Sequence, residues 1–213
     1  MTIVAIDGPA GAGKSTVARA VARRLGFEHL DTGAMYRAVA LAALRAGIDL
    51  DDSEAVGAFA ERMTLRIERD RVWIDGEDVS AEIRSKQVTR AVSTVARHAS
   101  VRAVMVDRQR DSAGSKDVVV EGRDIGSVVF PDADVKIYLT ASIDERARRR
   151  TEQLDLDPEL LADIRNDLAR RDDLDSSRAE SPLTRPEDAV VVDTTDRTVE
   201  QIVDEIETLV SGP

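Results

Sequence analysis

Near the amino end, Gly8-Pro9-Ala10-Gly11-Ala12-Gly13-Lys14-Ser15 satisfies the pattern G-x-x-x-x-G-K-[ST], and its setting constrains the whole chain. Residues 2–7 read as a short buried strand. The glycine-rich turn breaks it, and an Ala/Val/Leu-rich amphipathic helix runs from about Lys14 to Leu25. A strand at Glu28-His29-Leu30 and a helix from about Gly33 to Ala46 follow. Strand, turn, helix, strand opens a parallel α/β sheet. The chemistry explains the residue types. Phosphate oxygens need several inward-pointing backbone N–H groups, and glycines leave room and supply the required dihedrals. A helix N-terminus adds partial positive charge. Lys14 would reach the β- and γ-phosphates, the hydroxyl of Ser15 would help hold Mg²⁺, and Thr16 would add a phosphate contact. A loop of this kind implies a nucleotide but no particular reaction.

Farther along, the period changes. Leu65–Glu68 and Val72–Ile74 alternate apolar with polar residues, and Asp75-Gly76 is a turn signal, so a small antiparallel sheet is expected between helices. Ser85 to Ser112 is helical again with a restart at Ser100. Val118–Val120 and Val135–Leu139 read as central parallel strands. A charged helix from about Ser142 to Thr151, another from Pro158 to about Leu174, a polar stretch from Asp175 to Asp188, a strand at Val190–Val192 and a helix from Val199 to Val210 complete the chain. Only 3% of residues are aromatic, so Val, Ile, Leu and Ala must build the core.

Ligands of a parallel sheet gather at the carboxyl ends of its strands. Three clusters stand out. Asp31-Thr32-Gly33-Ala34-Met35-Tyr36-Arg37 follows the second strand, with Thr32 as an expected helix cap and Arg37 able to fork onto a phosphate. Glu121-Gly122-Arg123-Asp124 ends the third strand. Arg170-Arg171-Asp172-Asp173-Leu174-Asp175-Ser176-Ser177-Arg178 lies where a helix ends and resembles a lid that would bring positive charge and exclude water. The net charge of −11 disfavours nucleic acid, while clustered arginines suit a small anionic ligand. No apolar run approaches the roughly 18 residues of a membrane span. The chain has no Cys, so a cytoplasmic protein is the simplest reading. No N-K-x-D motif supports a guanine-nucleotide switch, and His29 and His98 are too few to suggest a metal centre.

Taken together, GPAGAGKST, LDTGAMYR, GEDVS-EIR (Gly76 to Arg84), EGRDIGSVVFPDADVKIYL and RRDDLDSSR resemble the bacterial cytidylate kinases over nearly the whole chain. The resemblance implies a P-loop NTPase fold, with a central parallel β-sheet flanked by helices, a small antiparallel insertion and a short helical lid. It divides the chain into a core (1–62 and 85–213), the inserted sheet of the monophosphate-binding part (63–84) and a lid region (152–182). It implies ATP with Mg²⁺, and CMP or dCMP as acceptor. Thr32, Arg37 and Arg123 would hold the acceptor phosphate, with Tyr36 lining the site. Ser93, Arg102, Asp124 and Arg178 would read the cytosine edge, and Arg171 and Asp175 would contact phosphate and sugar. Lys14, Arg123, Arg171 and Arg178 would stabilise the transferring group. Arg110 and Arg146 receive no role beyond local charge. Relatives often carry Ser at the position of Thr32 and Gly at that of Ser15; both departures keep or add a hydroxyl. A kinase for UMP or another small acceptor, and a nucleotide-sensing switch, are the alternatives. A monomer is expected, without nucleic-acid or membrane partners.

Overall fold

The computed structural model describes residues 1–68, 71–178 and 181–212. Arg69 and Asp70 of the expected insertion, and Ala179 and Glu180 of the expected lid region, lie outside the described residues. The chain forms two compact units, Met1–His29 with Ser115–Pro213, and Leu30–Gly114.

The first unit is built on a parallel sheet. Strands β1 (Ile3–Asp7), β2 (Glu28–Asp31), β6 (Val118–Glu121), β7 (Val135–Thr140) and β8 (Val190–Asp193) lie in the order β2-β6-β1-β7-β8. Val4 pairs in register with Val119 on one side and Val135 on the other. Every residue of β1 and β6 is buried, which is why these segments are nearly unbroken apolar runs. Helices α1 (Lys14–Leu25) and α8 (Val199–Ser211) pack on each other and on the sheet, with Val17, Val21, Ile202 and Ile206 meeting Ile6 and Leu139. Helix α6 (Ile143–Gln153) packs against α7 (Leu161–Ser176), which a short turn at Pro158–Leu160 precedes.

The second unit holds α2 (Thr32–Arg45), α3 (Ser53–Arg62), the antiparallel sheet β3 (Leu65–Glu68), β4 (Arg71–Ile74) and β5 (Glu77–Asp78), and helices α4 (Lys86–Ala96) and α5 (Ala99–Ala113). Asp75 and Gly76 both take positive φ, 50° and 89°, as the tight turn between β4 and β5 demands. Two expectations are corrected here. Asp31, not Thr32, caps α2, accepting from the Ala34 amide at 2.9 Å, and Thr32 is the first helical residue. Helix α3 was not anticipated, although Asp52 caps it through the Glu54 and Ala55 amides.

Helices α3 and α5 pack closely because Gly57 has no side chain: a Cβ there would come within 2.5 Å of the Ser100 side chain. Gly57→Ala is therefore expected to lower the free energy of unfolding by about 1–3 kcal/mol, against an alanine propensity gain of at most about 1 kcal/mol. Urea titration measures this, and a variant as stable as the parent would show that the helices part without loss.

Candidate active site

In the first unit the glycine-rich loop joins the carboxyl end of β1 to the start of α1. Gly13 precedes the helix in a left-handed conformation (φ 89°), and a Cβ on Gly8 would fall onto the carbonyl oxygen of Leu139. The sequence meets both demands only with glycine. Lys14 is 8% exposed, and its Nζ donates to the carbonyls of Gly8 and Pro9, each at 2.8 Å. Burial, then the positive charge of Arg123, push its ammonium well below the ordinary lysine value; Glu121, Asp7 and Asp175 act the other way. The loop therefore carries a cation that the arrival of phosphate charge would relieve. Thr16 is exposed on the first turn of α1.

Residues that sequence reasoning missed surround this loop. Asp7, the last residue of β1, accepts from the amides of Ile125 and Gly126, both at 2.8 Å, and so ties the loop to the turn after β6. Burial raises its carboxyl from 3.8 to about 6, opposed by those two amide hydrogen bonds. Glu121, the last residue of β6, accepts from the Ser15 hydroxyl at 2.7 Å through Oε2, while Oε1 lies 3.1 Å from Nε2 of His29. A faint signal for both existed: each is an acid closing an otherwise apolar strand. Arg146 gains a place it was not given from sequence. Buried on α6, it donates to the carbonyls of Ala141 and Ala10 and to Asp172 of α7, which in turn accepts from the Ala10 amide at 3.3 Å. These two side chains brace the phosphate loop against the helical segment that carries Arg171.

The same unit gathers the later arginines. Arg123 donates through Nε to Asp175 at 2.8 Å, and Arg178 donates to the other oxygen of that carboxylate. Asp175 is 3% exposed. Burial alone would raise its carboxyl, but Arg123, Arg178 and Arg171 together outweigh burial and hold it below its usual value. Asp124 is buried beside this cluster's strand end, and its charge adds to the upward push on Asp7. Lys14, Arg123 and Asp175 thus act on one another electrostatically, and Arg171 joins them through Asp175.

In the second unit, Thr32, Tyr36 and Arg37 stand on the first turns of α2, with Thr32 and Tyr36 buried. Arg37 donates to Asp31 at 2.8 Å, and Arg84 reaches the same carboxylate at 3.7 Å. The guanidinium of Arg102, buried on α5, lies 5.6 Å from the centre of the Tyr36 ring. Ser93 is half-buried on α4, the helix packed against α2. A hollow of about 480 Å³ in this unit, lined by Met35, Arg62, Met63, Leu65, Ile67 and Arg108 among others, contains none of these residues.

Among the described residues no group of three His, Cys, Asp or Glu side chains is placed to cage a metal, and no helix is long and apolar enough to cross a membrane. A divalent ion that arrives with a nucleotide needs less. The Ser15 hydroxyl and the buried Glu121 carboxylate are hard oxygen donors 2.7 Å apart, suited to Mg²⁺ that takes its remaining ligands from phosphate and water.

Comparison with known proteins shows the family. The family model described as cytidylate kinase matches residues 4–211. A cytidylate kinase of Mycobacterium leprae is 54% identical over 199 residues, covering 90% of this chain and 87% of its own. That of Caldanaerobacter subterraneus subsp. tengcongensis is 49% identical over 205 residues, covering 95% and 92%. Among solved structures, an uncharacterized protein from Eubacterium ventriosum superposes with a TM-score of 0.58 at 12% identity over the full length of both chains. A gluconokinase from Sinorhizobium meliloti superposes with a TM-score of 0.50 at 16% identity, covering 96% of this chain and 88% of that one. These distant likenesses concern the fold.

Proposed function

The chain belongs to the cytidylate kinase family, and on that premise we propose that it transfers the γ-phosphoryl group of ATP to CMP or dCMP. The observation that carries the reading is one electrostatic cluster: a buried P-loop lysine, Lys14, within the field of Arg123, which shares Asp175 with Arg178. Phosphoryl transfer needs this more than it needs covalent chemistry. Charge spreads over the equatorial oxygens of the transferring group, and fixed cations stabilise it where water is excluded.

In the proposed reaction an oxygen of the acceptor phosphate attacks the γ-phosphorus in line, and the bond to the β-phosphate oxygen breaks as the new bond forms. The attacking group is already an anion, so no general base is required. Lys14 and the loop amides hold the β- and γ-phosphates. Arg123, Arg171 and Arg178 balance the charge of the transition state. Thr32 and Arg37 join Arg123 on the acceptor phosphate, with Tyr36 alongside. Ser93, Arg102, Asp124 and Arg178 read the base, and Asp175 takes the ribose hydroxyls. Ser15 and Glu121 would hold Mg²⁺, which would supply further neutralisation of phosphate charge. The parked contacts of Arg123 and Arg178 on Asp175 are then partly exchanged for substrate contacts, so the guanidinium groups are held near their task before substrate arrives.

Cytosine offers a carbonyl, a ring acceptor and an exocyclic amine, and uracil reverses the amine position. Sites that hydrogen-bond a substrate group reject analogues lacking it strongly. Initial rates with CMP, dCMP, UMP and AMP at fixed MgATP test the assignment. CMP and dCMP are expected to exceed UMP and AMP by at least about tenfold in kcat/KM, a difference of roughly 1.4 kcal/mol or more. Equal or faster turnover of UMP or AMP would overturn it, and ATP hydrolysis indifferent to any acceptor would favour a nucleotide switch.

A further inference from the structure

We propose that His29 is a positioning residue for the metal–nucleotide site, holding the carboxylate of Glu121 in the orientation that presents one of its oxygens to Ser15. The inference rests on the kinase reading only as far as a nucleotide bound with a divalent ion; it needs no particular acceptor.

Because β6 lies between β2 and β1, the carboxyl end of β6 has His29 of β2 on one flank and the phosphate loop that follows β1 on the other. Glu121 closes β6 and divides its two oxygens between these flanks. Oε1 lies 3.1 Å from Nε2 of His29, and Oε2 accepts from the Ser15 hydroxyl at 2.7 Å. The side chains of His29 and Glu121 are 9% and 4% exposed, so water competes little for either contact.

A glutamate has three rotatable side-chain bonds, and holding it in one rotamer opposes the entropy of the others. Glu121 has a particular reason to wander: the charge of Lys14 attracts it. A carboxylate drawn to the lysine would leave the serine hydroxyl without its partner and spoil the oxygen pair suited to the ion. A hydrogen bond from the imidazole on the opposite flank restrains that swing. Partners of this kind, one step removed from the metal, typically change metal affinity by about 10–100-fold when removed.

Three substitutions separate positioning from mere packing. His29→Leu keeps apolar bulk and withdraws the donor. His29→Asn keeps polarity, but its amide is too short to reach Glu121. His29→Gln places an amide near the position of Nε2. The measurement is equilibrium binding of Mn²⁺ to the ADP-loaded protein, followed by the electron paramagnetic resonance of free Mn²⁺, beside ADP binding without metal and a thermal melt. His29→Leu and His29→Asn are expected to weaken Mn²⁺ binding about tenfold with metal-free ADP binding unchanged. His29→Gln should return to within about twofold of the parent. If His29→Leu does not fold, the contrast between Asn and Gln decides the matter alone. Mn²⁺ affinity within twofold of the parent in the Asn variant, or equal losses of ADP binding with and without metal, would overturn the proposal. No acceptor enters the experiment, so a wrong acceptor assignment would show in the nucleotide panel and leave this result standing.

Discussion

Lys14→Ala is expected to lower kcat by about 10³-fold, roughly 4 kcal/mol of transition-state stabilisation, with folding intact. The ammonium sits in a loop whose other proposed phosphate ligands are neutral groups, and it is the one formal charge that residues 8–15 would bring to the transferring group. Its hydrogen bonds go to carbonyls of its own loop, and although the buried carboxylates of Glu121, Asp7 and Asp175 attract its charge, burial and Arg123 outweigh them. Burial and Arg123 already oppose its charge in the ligand-free protein. The same substitution is therefore expected to leave the melting temperature of the free protein unchanged or slightly raised. Steady-state kinetics with CMP, paired with a melting curve, give both numbers. Near-normal turnover would remove Lys14 from the mechanism. A large loss of stability alongside the lost activity would mean that the lysine holds the loop together and does not serve phosphate.

Much of this site is legible in the sequence because its parts are local. The phosphate loop needs consecutive glycines, a lysine and a hydroxyl in fixed spacing, and the strand and helix around it carry their own periodicities. The strand end at Glu121 could be placed for the same reason: the apolar run Val118–Val120 stops there. What escaped notice depends on register between distant segments. Nothing near Asp7 in the sequence announces that its partners are the amides of Ile125 and Gly126. Arg146 reads as one more arginine on a charged helix, and only the packing of α6 against α7 brings it to Asp172 and to the carbonyl of Ala10. Asp31 took the capping role expected of Thr32 because an aspartate one residue earlier reaches the Ala34 amide from extended backbone, which freed Thr32 to begin the helix. Helix α3 is faint in the sequence for another reason. Its apolar residues are mostly alanine and glycine, which give a weak periodic signal, although Asp52-Ser53-Glu54 carries a recognisable helix start.

The second large effect is expected at Asp175, where structure and chemistry share one side chain. Asp175→Asn preserves shape but removes the anion that Arg123 and Arg178 hold in common. Two guanidinium groups, 21% and 7% exposed, would then face each other across a neutral amide. Breaking a buried ion pair by removing one partner typically costs about 3–5 kcal/mol, and urea unfolding at neutral pH should show a loss of that order. The pH dependence provides a check that simple misfolding would not mimic. The arginines hold the folded-state carboxyl below its unfolded value of 3.8. Its contribution to stability is thus complete above that value and is lost as pH falls through the lower folded-state value. The gap between parent and variant should accordingly be constant from neutral pH down to about 5 and narrow only in stronger acid. Turnover should respond differently. With Arg123 and Arg178 no longer aligned by a common anion, kcat/KM for CMP is expected to fall by about 10²-fold or more, because small misplacements of catalytic groups are costly. A stability gap that ignores acid, or a variant that phosphorylates CMP as well as the parent, would show that the arginines find their positions without Asp175.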